Sequence, residues 1–408
     1  MKTACWTSAL CLLVCAGSLS ALEAVGAFKK VDTEKGTLEV FANGANRNLK
    51  IDKDVKVLGN DGKPLEDGLK SKEFKDGAEV TVTVEFGNGT PILKKIQLGK
   101  HAAANVPPKD SGKPTVGLKP LTEMSASDKY KGEDGGLYGG GKNEPPEPFL
   151  AAAKKETAKI EPLDEEGKPA KSGKIGLVSI SMSNATMEYS LFKQLADGDE
   201  KKSERVAIVD CAQGGQAMAE WVDSKGKPWS EAERRLAAAN VSSNQVQVVW
   251  IKLANKGPSG ELNDHGKKLQ RDTLAVIQNA KAHFPNLRIA YLGSRIYAGY
   301  ANNRLNPEPY AYEGAFVVRW LIQDQMKGDA ALNYDAAKGA VKVPLLLWGP
   351  YFWGDGTTPR QSDGLVWERK DLAGDGTHPS ESGRKKVADQ LLKFFKDDPL
   401  AARWFVRR

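Results

Sequence analysis

Histidine and cysteine are scarce in this chain: 408 residues carry four of each. Three of the cysteines, Cys5, Cys11 and Cys15, fall inside the first apolar stretch. The remainder keeps Cys211 alone, which excludes an intrachain disulfide there. No later apolar run is long enough to cross a bilayer, so no membrane span is expected. A basic block with interleaved aromatics is missing too. The formal net charge is +7, but Lys and Arg alternate with Asp and Glu almost throughout, which argues against a nucleic-acid partner.

What the chain does have is an apolar content of 40% against 27% charged residues, enough for a large packed core. It opens with "MKTACWTSALCLLVCAGSLSA": one lysine, an apolar run, then small residues. This pattern reads as a secretory signal peptide over residues 1–24, cleaved near Ala21 or Ala24, and predicts a secreted or periplasmic protein. Export without disulfides leaves stability to the core.

Residues 25–100 alternate apolar and polar positions between turn signals, as in "TLEVFANGANRNLKI" and "AEVTVTVEFGNGTPILKKIQL". Period-2 alternation with "NG" turns predicts a small all-β unit, an antiparallel barrel or sandwich of about five strands. Residues 101–122, rich in Pro, Lys, Gly and Ala, read as a linker. Residues 123–173 read as an irregular arm with a short helix. The glycine-rich "YKGEDGGLYGGGKNEPPEP" lacks the GK[ST] ending of a phosphate loop.

From 174 to 408 the pattern changes. Apolar runs ("IGLVSIS", "VAIVDC", "VQVVWIKL", "LRIAYLGS", "VPLLLWG") alternate with helical ones. Continuous apolar strands between helices predict an α/β domain with a five-stranded parallel, doubly wound, flavodoxin-like sheet. Ligands of such sheets bind beyond the carboxyl ends of the strands.

Chemistry-bearing residues gather at those ends. "SMSNATMEYS" puts Ser183 and Asn184 at a strand-to-helix turn, where either a helix cap or a reactive hydroxyl with helix N–H groups is open. "DCAQGGQAMAEW" supplies Gly214 and Gly215, a plain turn or a backbone site for close approach. Cys211, at a strand end, is a buried apolar residue or a nucleophile. The third strand leads to Asn255. The fourth leads to a loop with Tyr297, Tyr300, Tyr310 and Tyr312, which either stack on a ligand or pin the loop. The fifth leads to "DGTHPSESG", with Asp375 three residues before His378. A serine needs a base to become a nucleophile, the base needs an orienting carboxylate, and an acyl-transfer transition state needs oxyanion donors. The sequence places one of each at the same sheet edge.

Over residues 174 to 397 the chain resembles the SGNH (GDSL-type) hydrolase superfamily. "DGTHPSESG" is similar to the family's final block, and "SMSN" to the GxSN form of the first block found in its carbohydrate acetylesterase branch. "GGQAMAEW" is similar to that branch's two glycines followed by tryptophan. The resemblance implies Ser183 as nucleophile, His378 as general base and Asp375 as its orienting partner. It implies Gly215, or alternatively Gly214, together with Asn255 as oxyanion donors, and no metal or cofactor. Departures are Ser181 and Met182 in the first block, and Leu253 and Lys256 in the third. A register in which Ser181 is the nucleophile stays open. The implied activity is a serine esterase acting on O-acetyl esters of carbohydrates, with Asn184 and the four tyrosines facing the substrate. The alternative is a non-catalytic carbohydrate-binding or cell-surface protein on the same scaffold.

Overall fold

A computed structural model describes residues 22–42, 45–87, 90–99 and 112–407. The signal-peptide reading, but for its last three residues, and the first half of the predicted linker (101–111) lie outside the described residues. The chain divides into two units, Met1–Val106 and Pro107–Arg408.

The first unit is a closed barrel of β1 (Leu22–Asp32), β2 (Thr37–Ala42), β3 (Ala45–Leu58), β4 (Glu79–Gly87) and β5 (Thr90–Leu98), in the order β1-β2-β3-β5-β4. The alternation seen in the sequence fills its interior. Val80, Val82 and Val84 of β4 point inward beside Leu38, Val40, Leu49, Leu93 and Ile96. Each such side chain contributes about 1.5–3 kcal/mol on full burial. Two expectations are corrected. The barrel starts at Leu22, not residue 25. It is also not wholly antiparallel, because β3 and β5 run parallel, while the β1–β4 pair that closes the barrel is antiparallel. Period-2 patterning shows which face is buried, but not the direction of the neighbour.

The second unit is α/β. Its all-parallel sheet comprises β6 (Ile175–Ile180), β7 (Val206–Asp210), β8 (Val246–Lys252), β9 (Ile289–Gly293) and β10 (Leu345–Trp348), in the order β10-β9-β8-β6-β7. Numbered from its own first strand, this is 2-1-3-4-5, which puts the topological switch between β6 and β8. Every residue of β6, β8, β9 and β10 is buried, as expected for a sheet covered on both faces.

The helices are α1 (Glu147–Thr157), α2 (Ser183–Asp197), α3 (Met218–Trp221), α4 (Lys227–Ala238), α5 (Lys267–His283), α6 (Tyr310–Met326), α7 (Glu381–Asp397) and α8 (Ala402–Phe405). α2 packs on α7, while α5 packs on α3 and α6. Behind β6 and β8, Tyr189 of α2 stacks on Trp250 of β8 with ring centroids 5.6 Å apart. Among the described residues no helix is long and apolar enough to cross a membrane.

Residues 112–122, read as linker, are instead a strap on this unit. The Asp355 carboxylate accepts the Val116 and Gly117 N–H groups at 2.7 and 3.0 Å, and Leu121 is fully buried. The following arm is clamped by Arg319 of α6, which is itself buried and donates to the Asp134 carbonyl at 2.7 Å.

Candidate active site

The site lies where β6, β7 and β8 end and where the long loop before α7 returns. β6 stops at Ile180 and α2 begins at Ser183, with Met182 in extended backbone as its N-cap. The two serines of "SMS" therefore face different surroundings. Ser181 is fully buried and its hydroxyl donates to the Lys252 carbonyl. Ser183 is half-buried, and its Oγ lies 2.8 Å from His378 Nε2.

His378 is held from behind. Its Nδ1 is 2.5 Å from Asp375 Oδ2, and Asp375 Oδ1 accepts the backbone N–H groups of Thr377 and His378 at 3.0 Å each. Burial pushes the Asp375 carboxyl up. The hydrogen bond and charge of His378 and the two N–H groups outweigh it, so the carboxyl titrates below its ordinary value. A carboxylate on Nδ1 sets the tautomer that leaves Nε2 as the acceptor facing Ser183. The turn between Asp375 and His378 needs glycine. Gly376 has φ +64°, and a Cβ there would sit 1.8 Å from the Tyr300 carbonyl oxygen.

Side chains from α2 and from the loop after β9 hold this turn, and two of them, Arg295 and Asn303, were not foreseen from the sequence. The Thr377 carbonyl accepts from Asn184 Nδ2 at 2.9 Å and from Arg295 Nη2 at 3.2 Å. Asn303 Nδ2 reaches the Thr377 hydroxyl at 2.9 Å and the Asp375 carbonyl at 3.3 Å. Arg295 is the second residue beyond the β9 end, which was the available signal for it. It is buried, and burial lowers its pKa against the charges of Glu188, Asp375 and Glu308. Beside it Lys252 pairs with Glu188 at 2.7 and 2.5 Å, both fully buried, and desolvation brings the Lys252 ammonium down to about 8.

The glycine turn and the β8 end converge on the same place. Gln213 N–H donates to the Ser181 carbonyl at 2.9 Å, and Met182, Ala217 and Ala254 pack together. Gly214 and Gly215 are exposed, Gly215 has φ +77°, and neither N–H finds an acceptor among the described residues. Asn255 is nearly buried. Its Oδ1 accepts the Ala219 N–H at 3.0 Å and its Nδ2 donates to Asp272 Oδ2 at 2.6 Å, which leaves one amide hydrogen for another acceptor.

Several expectations about ligand contact need correction. Asn184 is 1% exposed and spends its amide on Thr377, so it cannot face a substrate. Tyr297, Tyr300 and Tyr312 are buried. The Tyr297 hydroxyl donates to the Lys113 carbonyl at 2.7 Å, Tyr312 donates to the Lys119 carbonyl at 2.9 Å, and Tyr297 and Tyr300 meet edge to face. These rings pin the loop and the strap. Tyr310 and Tyr312 are not loop residues at all, since α6 begins at Tyr310; that ring is half-buried, edge-on to His265 at 4.8 Å. Cys211 is fully buried with its thiol pushed far up by desolvation, which is the packing alternative. Among the described residues no three His, Cys, Asp or Glu side chains converge as metal ligands.

No family model matches the chain, and no curated protein does. Among solved structures, a proposed acylhydrolase of Bacteroides fragilis is 13% identical, covers 63% of this chain and 100% of its own, with a TM-score of 0.31. The periplasmic domain of a lipopolysaccharide acetyltransferase from Salmonella ser. Paratyphi A is 15% identical, covers 54% of this chain and 83% of its own, with a TM-score of 0.28. For the first unit, apo-CusF of Escherichia coli is 14% identical, covers 21% of this chain and 94% of its own, with a TM-score of 0.17.

Proposed function

We propose that this chain is an ester-acting serine hydrolase with Ser183 as nucleophile, His378 as general base and Asp375 as the residue that orients and charges-compensates it. One observation carries the reading: Ser183 Oγ, the His378 ring and the Asp375 carboxylate form a continuous relay, at 2.8 and 2.5 Å, built from segments nearly two hundred residues apart. A helix cap needs only the serine hydroxyl on a backbone N–H, and a loop staple only the aspartate and the histidine; neither calls for all three in that order.

In this mechanism His378 Nε2 takes the Ser183 proton as Oγ attacks the ester carbonyl. The oxyanion is received by the Ser183 N–H at the start of α2, by a Gly214 or Gly215 N–H and by the remaining amide hydrogen of Asn255. His378 then protonates the leaving alcohol. Water, deprotonated by the same nitrogen, cleaves the acyl-enzyme. Asp375 stays ionised throughout, in keeping with its lowered pKa. The exposed glycine turn leaves the mouth open on one side, which suits a small acyl group on a bulky alcohol. O-acetyl esters of carbohydrates, met outside the cell or in the periplasm, are the proposed substrates.

The test is labelling of the full chain with a fluorophosphonate probe, followed by peptide mapping. Modification at Ser183 is expected. A folded protein that stays unlabelled supports the non-catalytic carbohydrate-binding alternative.

A further inference from the structure

One of the three proposed oxyanion donors sits on an exposed Gly-Gly turn, and such a turn has the largest conformational freedom a backbone can have. Oxyanion donors are effective when they are aimed in advance. Something must therefore hold Gly215, and one side chain does. Lys256 Nζ donates to the Gly215 carbonyl at 3.0 Å and pairs with Glu220 Oε1 at 2.7 Å. The other oxygen of Glu220 accepts the Ala217 N–H at 2.8 Å. The turn is thus pinned at Gln213 by the Ser181 carbonyl, at Gly215 by Lys256 and at Ala217 by Glu220.

Lys256 also follows Asn255 directly in the chain, so the same residue ties the glycine turn to the third proposed oxyanion donor. A Cβ at Gly215 would meet nothing within 4 Å, so close packing does not fix this turn. We infer that Lys256, braced by Glu220, is a positioning residue for the oxyanion site: by gripping the Gly215 carbonyl it holds the Gly215–Gln216 peptide, whose N–H closes the turn on the Gln213 carbonyl at 3.2 Å, and so anchors from its C-terminal side the glycine whose own N–H is the proposed donor. The inference rests on the esterase reading above. Both side chains are partly exposed, at 44% and 31%, so the pair adds little to folding and its loss separates aim from stability.

The experiment compares Lys256→Met and Lys256→Arg with the wild type in the full chain. It measures kcat and KM on nitrophenyl acetate, the second-order rate of fluorophosphonate inactivation, and Tm. Wild-type labelling at Ser183 is read first, since its absence sinks the esterase reading rather than this one. With labelling present, Lys256→Met is expected to lose about tenfold in kcat and in inactivation rate, part of the 10²–10³ that a whole donor supplies. KM should change less than about twofold and Tm should hold, because only the aim of the donor is altered. Lys256→Arg, which keeps a donor within reach, restores most of the rate. Glu220→Gln keeps an acceptor for the Ala217 N–H and is expected to lose less than Lys256→Met. An unchanged kcat in Lys256→Met, a loss confined to KM, or a loss that arginine does not restore overturns the assignment.

Discussion

Asn184 and Thr377, 193 positions apart in sequence, are joined by a buried hydrogen bond of 2.9 Å from the Asn184 carboxamide to the Thr377 carbonyl. The bond couples the first turn of α2, which carries Ser183, to the loop that carries Asp375 and His378. Asn184→Ala should therefore loosen the Ser183–His378 distance while Arg295 still holds Thr377. We expect a loss of about 1–2 kcal/mol in stability and roughly tenfold in kcat, with KM little changed. Thermal unfolding and steady-state kinetics check it. An intact kcat would show that the loop needs no such tie.

Ser181 and Ser183 are separated by one residue and by everything else. Ser183→Ala should abolish probe labelling and nearly all turnover, with Tm unchanged. Ser181→Ala should keep both, and cost about 1 kcal/mol for the lost hydrogen bond to the Lys252 carbonyl. Labelling with melting curves on the two variants decides the register.

The Asp375 carboxyl titrates below its ordinary value, so its sign is that of a group with a depressed folded pKa. Its stabilising contribution is present above the unfolded pKa, near 3.8, and is lost as pH falls through the lower folded value. Asp375→Asn should show a smaller drop in Tm between pH 5 and pH 3 than the wild type. At neutral pH it should lose about 10⁴-fold in kcat, because an amide nitrogen facing Nδ1 favours the wrong tautomer of His378. A near-normal kcat would remove Asp375 from the mechanism.

Glu308 behaves oppositely. Burial raises its carboxyl to about 7, against hydrogen bonds from Trp353 Nε1 and the N–H groups of Ala298 and Tyr312 at 2.8, 2.9 and 3.0 Å. Between its ordinary 4.5 and 7 the folded state holds a proton that the unfolded chain has lost. The associated stabilisation is complete below 4.5 and fades as pH rises through 7, by on the order of 3 kcal/mol. Denaturant unfolding from pH 4.5 to 8 should show this slope. Glu308→Gln should flatten it, even though the amide meets the Tyr312 N–H poorly and lowers stability overall.

Tyr297 and Tyr312 are packing residues with hydroxyls on backbone carbonyls of the strap. Replacing either by Phe should cost about 1 kcal/mol and leave KM for carbohydrate esters unchanged. A raised KM at constant stability would return them to the substrate.

Much of the architecture was legible in the residues. Five unbroken apolar runs between amphipathic stretches report a buried parallel sheet, because both faces of such strands are covered. Chain order then puts Ser183, the glycine pair, Asn255 and the Asp375–His378 turn at one edge, since every parallel strand ends on the same side. The start of α6 was hidden because Tyr310 and Tyr312 follow a proline-rich loop, and aromatic rings suit a loop as well as a helix. The strap at 112–122 was hidden because Pro, Lys and Gly describe an extended segment without saying what it lies on.

Local periodicity and order along the chain thus determined the element types and the edge at which polar groups collect. Which way each polar group turns was decided only by the tertiary structure. Asn184 faces Thr377 rather than solvent, Ser181 faces a carbonyl while Ser183 faces an imidazole, β3 runs parallel to β5, and Lys256 grips Gly215. Each of these depends on a partner far away in sequence, and a hydrogen bond is specified by its geometry with that partner, which no local pattern contains.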